Sequence, residues 1–149
     1  MAKVRITKEF RFEASHALLN YDGLCKNIHG HSYILFVTVI GEPNIEESSP
    51  KLGMLMDFGD LKRIVKQEIV DVLDHSIILN SKAPYQSFTN VKDMFDRFHL
   101  FDYQPTCENM VVDFAQKIIK KLPEGVKIYS VKLYETATSN AEWYASDNI

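Results

Sequence analysis

Apolar and polar positions alternate along the first sixteen residues. Val4, Ile6, Phe10, Phe12 and Ala14 share one parity, and Lys3, Arg5, Glu9, Arg11 and Glu13 share the other. Lys8 is the exception on the apolar side, and His16 falls on the apolar parity at the end of the run. A period of two predicts a half-buried strand over 3–16 with one wet face. A segment rich in Tyr, Ile, Phe and Val predicts a second strand over 29–40, stopped at Gly41. The polar stretch GEPNIEESSPKLG (41–53) reads as a loop. The period then changes. Leu61, Ile64, Val65, Ile69, Val72 and Leu73 recur at helical spacing behind an acidic start, which predicts a helix over 57–75. A second helix is predicted over 105–125, with Thr106 as its N-cap and Glu108 near its positive end. Lys120 and Lys121 suit its other end, and Met110, Val111, Phe114, Ile118 and Leu122 form its apolar stripe. KIYSVKLYET (127–136) reads as a third strand and AEWYAS (141–146) as a short fourth. Residues 76–104 are rich in aromatics but carry no pattern that assigns an element.

The order β-β-α-α-β-β predicts an α+β domain, an antiparallel four-stranded sheet with two helices on one face. A length of 149 residues suits one domain, 1–149. The edge strands of such a sheet are exposed unless something covers them, and edge-to-edge oligomerisation is one physical remedy.

Composition narrows the function classes. The chain is 46% hydrophobic and 25% charged, the balance of a soluble globular protein. A net charge of -3 leans against a nucleic-acid partner, though a local basic patch can still hold a small anionic ligand. No apolar run reads as a signal peptide, and none is long enough to span a membrane. Two cysteines, Cys25 and Cys107, are too few for a disulfide framework, and a reduced, cytoplasmic protein is expected.

The candidate chemistry begins with CKNIHGHSY (25–33). On a strand, residues i and i+2 point to the same face, so His29 and His31 project together with Cα atoms about 6.5 to 7 Å apart. Gly30 points away between them. If the first two strands pair, His16 comes opposite both, and three histidines make the open type of zinc site with one position free. Against this stands the reading of histidines that are only buried and hydrogen-bonded. Cys25 either closes the site as a fourth ligand or hangs over the open position as a base or nucleophile. Cys107, on the buried stripe of the second helix, reads as an inert core thiol. Asp74 and His75 form an acid–base pair at the end of the first helix, or a polar patch there. Glu135 continues the apolar face of Val131 and Leu133, which is costly for a carboxylate without a partner. That partner is a ligand edge with two parallel N–H donors, such as the pyrimidinone of a pterin or guanine, or else a lysine or arginine.

Taken together, FEASHAL (12–18), CKNIHGHSY (25–33), MLMDFGDLK (54–62), LDHSIILN (73–80), PTCEN (105–109) and YETATSNAEW (134–143) resemble the 6-pyruvoyl-tetrahydropterin synthase superfamily, most closely its bacterial 6-carboxy-tetrahydropterin synthase branch. The segments occur in the family's order and span most of the chain. The resemblance implies a T-fold, with sheets joined into a barrel, usually a trimer stacked into a hexamer. It implies zinc on His16, His29 and His31, with Cys25 as general base and Asp74 and His75 as a relay contributed across a subunit interface. It implies that Glu135 anchors the pterin and joins the catalytic network, and that Thr106 sits in the pterin pocket. The implied reaction takes 7,8-dihydroneopterin triphosphate and water to 6-carboxy-5,6,7,8-tetrahydropterin, acetaldehyde and triphosphate, a step toward queuosine and other deazapurines. The three-residue gap between Cys25 and His29 is similar to the carboxy branch, as is ETATSNAEW; the alternatives are a pyruvoyl synthase and a non-catalytic module whose zinc Cys25 closes off. The long segment 76–104 departs from compact members of the family.

Overall fold

The computed structural model describes residues 2–84 and 91–148. Strands β1 (Val4–His16) and β2 (His29–Gly41) form a long antiparallel pair. β5 (Lys127–Thr136) pairs with β2, and β6 (Ser139–Tyr144) with β5, both antiparallel. Alternation and β-branched runs place these four strands to within two residues. The fourth sits slightly earlier than expected, because Ala145–Asp147 turns into a 3-10 helix.

The sheet has six strands rather than four. β3 (Ser76–Asn80) runs parallel beside the end of β1, and β4 (Phe98–Phe101) runs parallel beside β3, giving the order β4-β3-β1-β2-β5-β6. Both lie in the stretch that the sequence left without elements. Strands of five and four residues offer only two or three positions per face, too few for a period to emerge. A single helical turn, α3 (Val91–Met94), precedes β4. Residues 85–90 of that stretch lie outside the described residues.

The expected helix over 57–75 is not continuous. α1 (Phe58–Val65) starts at Asp57, whose side chain accepts from the Gly59 N–H at 2.7 Å. A π turn (Lys66–Val70) follows, then a last turn, α2 (Asp71–Leu73). A π turn inserts extra residues into the helical period and rotates the face beyond it. Ile69, Val70 and Leu73 are therefore buried, while Val72, expected on the inner stripe, is 40% exposed. The second long helix, α4 (Cys107–Ile119), is shorter than 105–125; Thr106 caps it by accepting from the Asn109 N–H at 3.3 Å. Leu122 falls beyond its end, partly buried against the core. No helix among the described residues is long and apolar enough to cross a membrane.

One face of the sheet carries the core. Phe10, Phe12 and Ala14 of β1 lie beside Tyr33, Leu35, Val37 and Val39 of β2 and Val131 and Leu133 of β5, all buried. Leu61 and Val65 of α1 and Met110, Phe114 and Ile118 of α4 complete the same cluster. Phe12 stacks on Tyr33 at 4.9 Å between ring centroids and meets Phe114 edge-on at 6.4 Å. This packed face ends at the histidines and fixes the strands that carry them.

Candidate metal centre and adjoining cavity

The β1–β2 ladder places His16 directly opposite His29 and Ala14 opposite His31. The end of one strand and the start of the next meet, and the three imidazoles converge. His16 Nε2 is 3.1 Å from His29 Nε2 and 3.1 Å from His31 Nε2. His16 Nδ1–H donates to the Pro105 carbonyl at 2.7 Å, and His29 Nδ1–H donates to the Asn27 carbonyl at 2.8 Å. Each of those bonds puts the proton on Nδ1 and leaves the Nε2 lone pair aimed at the common point. Lone pairs at this distance repel unless a cation lies between them. Two nitrogens bound at 2.0–2.1 Å in a tetrahedral set are about 3.3 Å apart, close to what is observed. Burial holds His16 and His31 below the usual histidine range, with the neighbouring histidine charges adding to it and Glu135 opposing it. Neutral imidazoles are the ligand form, so the donor set fits a zinc-type cation with one coordination position left over.

Glu135 faces the same point. Its Oε1 lies 3.5 Å from His16 Nε2 and 3.6 Å from His31 Nε2. The β5–β6 register slips between Tyr134 and Thr136, a bulge that falls on this residue. The expected face is the observed one, beside buried Val131 and Leu133. Among the described residues no lysine or arginine pairs with it; its near neighbours are the histidine Nε2 atoms. Tyr33, edge-on to His31 at 5.5 Å, has a fully buried hydroxyl with no hydrogen-bond partner among the described residues. Burial and the nearby Glu135 charge push that phenol well above its usual range.

Glu135 also lines a cavity of about 410 Å³ whose wall includes Cys25, Gln104, Thr106, Glu108 and Asn140. Cys25 rides on a short 3-10 turn (Leu24–Lys26), partly exposed, and lies outside the three-histidine donor set. Cys107, the first residue of α4, is buried and donates to the Leu133 carbonyl at 3.2 Å. Burial pushes its thiol up to about 12, in keeping with an inert core residue.

Asp74 and His75 stand elsewhere. His75 Nδ1 is 3.0 Å from Asp74 Oδ2, and Asp74 Oδ1 accepts from the Glu13 N–H at 2.9 Å. That backbone bond, with His75 behind it, holds the Asp74 carboxyl below the usual carboxylate range. The His75 N–H in turn donates to the Glu13 carbonyl at 2.6 Å. His75 has φ 58, in the left-handed region, which costs about 1–2 kcal/mol for a residue with a Cβ. Its side chain is 75% exposed, in an open groove lined by Glu13, Ser15, His31, Ser32 and Phe95. Within one chain the pair does not line the cavity that holds Cys25.

Comparison with known proteins decides the family. The profile described as 6-pyruvoyl tetrahydropterin synthase matches residues 5–146. The chain belongs to the 6-pyruvoyl tetrahydropterin synthase family. It is 33% identical over 141 residues to a 6-carboxy-5,6,7,8-tetrahydropterin synthase of Haemophilus influenzae, covering 93% of this chain and 97% of that one. It is also 33% identical to the human 6-pyruvoyl tetrahydrobiopterin synthase over 146 residues, 90% of this chain and 86% of the relative. Among solved structures, an uncharacterized protein from Wolinella succinogenes superposes with TM-score 0.81 at 21% identity over 97% of this chain and 99% of the other. The Caenorhabditis elegans 6-pyruvoyl tetrahydropterin synthase superposes with TM-score 0.67 at 23% identity over 97% of both. The fold is thus that of the pterin synthases.

One residue of this family member that sequence reasoning missed is Gln104. Its Oε1 accepts from Leu19 N–H at 3.0 Å and Asn80 Nδ2 at 3.1 Å, and its Nε2 donates to the Leu19 carbonyl at 2.8 Å. It ties the loop that carries Cys25 to β3. A glutamine whose partners are the Leu19 backbone and the Asn80 side chain, both distant in sequence, leaves no periodicity or spacing to find.

Proposed function

We propose that the chain is a zinc-dependent 6-carboxy-5,6,7,8-tetrahydropterin synthase. Its substrate is 7,8-dihydroneopterin triphosphate, and with water it yields 6-carboxy-tetrahydropterin, acetaldehyde and triphosphate, on the way to queuosine and other deazapurines. The observation that carries this is the convergence of three imidazole Nε2 atoms beside a cavity whose wall holds Cys25, Thr106 and Glu135. His16, His29 and His31 hold the zinc; when bound it supplies Lewis-acid stabilisation to the oxygens of the substrate side chain. Glu135 accepts the two N–H groups of the pyrimidinone edge and fixes the ring. Thr106 lines the same pocket. Cys25 takes a carbon-bound proton, and His75, oriented by Asp74, moves protons at oxygen.

His75 and Asp74 reach the cavity from a neighbouring subunit. A T-fold assembly, sheets joined edge to edge into a barrel and most simply a hexamer of two stacked trimers, brings that neighbour close, and the open edges β4 and β6 suit it. The chain acts as one domain, in the cytoplasm, where Cys25 and Cys107 stay reduced. Light scattering of the purified protein checks the assembly; a monomer at micromolar concentration contradicts the shared site.

A second reading is a 6-pyruvoyl synthase with the same ligands, supported by the similarity to the human relative. Mass spectrometry of the products from 7,8-dihydroneopterin triphosphate separates the two, because the carboxy reaction alone releases acetaldehyde. Absence of any turnover, with zinc bound and the oligomer intact, overturns both.

A further inference from the structure

A helix end leaves its last carbonyls without donors from the helix itself. Around the end of α2 these carbonyls are nonetheless satisfied. The Val70 carbonyl accepts from the Asp74 N–H at 2.9 Å, and the Leu73 carbonyl from Ser76 Oγ–H at 2.6 Å. Arg97 supplies the rest. Its Nε donates to the Asp74 carbonyl at 2.6 Å, and its Nη2 to the Val72 carbonyl at 2.9 Å and to the Asp71 carbonyl. His99 Nε2 also donates to the Val72 carbonyl, at 2.8 Å.

Both donors come from the 76–104 stretch that carries β3 and β4. His99 lies on β4 and Arg97 just before it. The Arg97 carbonyl accepts from the Ile77 N–H at 2.9 Å, so the start of the β3–β4 ladder sets where the guanidinium can reach. A guanidinium presents its donors in a rigid planar fork, and a cation suits the negative end of a helix. What it grips is a turn that local preference does not favour, because His75 sits at φ 58 without being glycine. Phe95, two residues before Arg97, lines the same groove as His75.

We propose that Arg97 is a positioning residue: its guanidinium, with His99 beside it, ties the helix end to β4 and so holds His75 against Asp74 in the orientation the reaction uses. This rests on the proposed role of His75 in proton transfer.

The test is a double-mutant cycle on the full-length oligomer, with Arg97→Ala and Arg97→Lys each made alone and in a His75→Ala background. A lysine keeps the charge but not the fork, so it carries the test should the alanine variant fail to fold. Alone, each substitution is expected to lower kcat for dihydroneopterin triphosphate by about 10-fold or more, with KM nearly unchanged. In the His75→Ala background it should change kcat by less than about 2-fold, because a residue acting through His75 has nothing left to position. Equal losses in both backgrounds, or no loss in the single variants, overturn the proposal. Amide hydrogen exchange supplies a readout independent of turnover: the His75 N–H should exchange at least about 10-fold faster in the variants, while the β1–β2 ladder stays protected. Should the wild-type chain fail to turn over this substrate, the functional reading falls, and an unchanged His75 exchange rate then overturns the positioning role by itself.

Discussion

The three-histidine centre and the Asp74–His75 pair are built in opposite ways. The centre grows out of the most regular part of the molecule. Its ligands sit on one antiparallel ladder, two are oriented by backbone carbonyls, and all three end a packed apolar face. The pair sits on a turn in a disfavoured conformation, its helix end met by the Arg97 side chain from just before β4, with its histidine facing solvent. The three histidines converge within one chain, whereas the pair opens on a groove apart from the cavity that holds Cys25, with His31 in its wall. Under the proposed shared site, the histidines would keep a metal without the neighbouring subunit while proton transfer would need it, so the two halves should fail differently.

The largest expected break is at the centre. His31→Ala removes one of three ligands, and neither Gly30 nor Ser32 offers a replacement on that face. Metal analysis after dialysis should find zinc lost and turnover gone with it; stoichiometric zinc in that variant would refute the ligand set. Next comes Cys25→Ala, expected to cut turnover by about 10²-fold or more with zinc content and melting temperature near wild type. If Cys25 is instead a fourth ligand, zinc weakens and the domain loses stability, because a closed structural site contributes directly to folding.

His75→Gly sharpens the contrast. Turnover should fall by about 10²-fold, yet denaturant unfolding should give a stability at or within about 1 kcal/mol of wild type, since glycine adopts φ 58 without steric cost. A loss of several kcal/mol would mean that the imidazole is structural.

The smallest effect concerns Asp74. Its native carboxyl lies below its unfolded value, so the unfolded state binds more protons on the acid side. Its contribution is present above the ordinary carboxylate value of about 4 and is lost as pH falls through the lowered native one. The melting-temperature gap between wild type and Asp74→Asn should therefore shrink between about pH 5 and pH 3, modestly because the side chain is 40% exposed. A gap that stays constant with pH would remove the linkage.

The sequence by itself determined the four antiparallel strands and the cap at Thr106, and it put His16 opposite His29 and His31 on the condition that the first two strands pair. Alternation over ten or more residues has one packed solution, and i, i+2 spacing on a strand leaves a side chain no choice of face. It also determined the face of Glu135, which follows from the parity of Val131 and Leu133. The inward turn of Val72 failed because a π turn is a tertiary accommodation that leaves no mark in hydrophobic spacing. β3 and β4 were illegible because each is too short to show a period and each pairs with a strand remote in sequence. Only the tertiary structure decided that Cys25 stands apart from the histidines, that Gln104 anchors its loop, and that Arg97 reaches back to the end of α2. Those arrangements depend on single polar side chains meeting distant backbone atoms, and such contacts are specified by where the chain has already folded, not by what surrounds them in sequence.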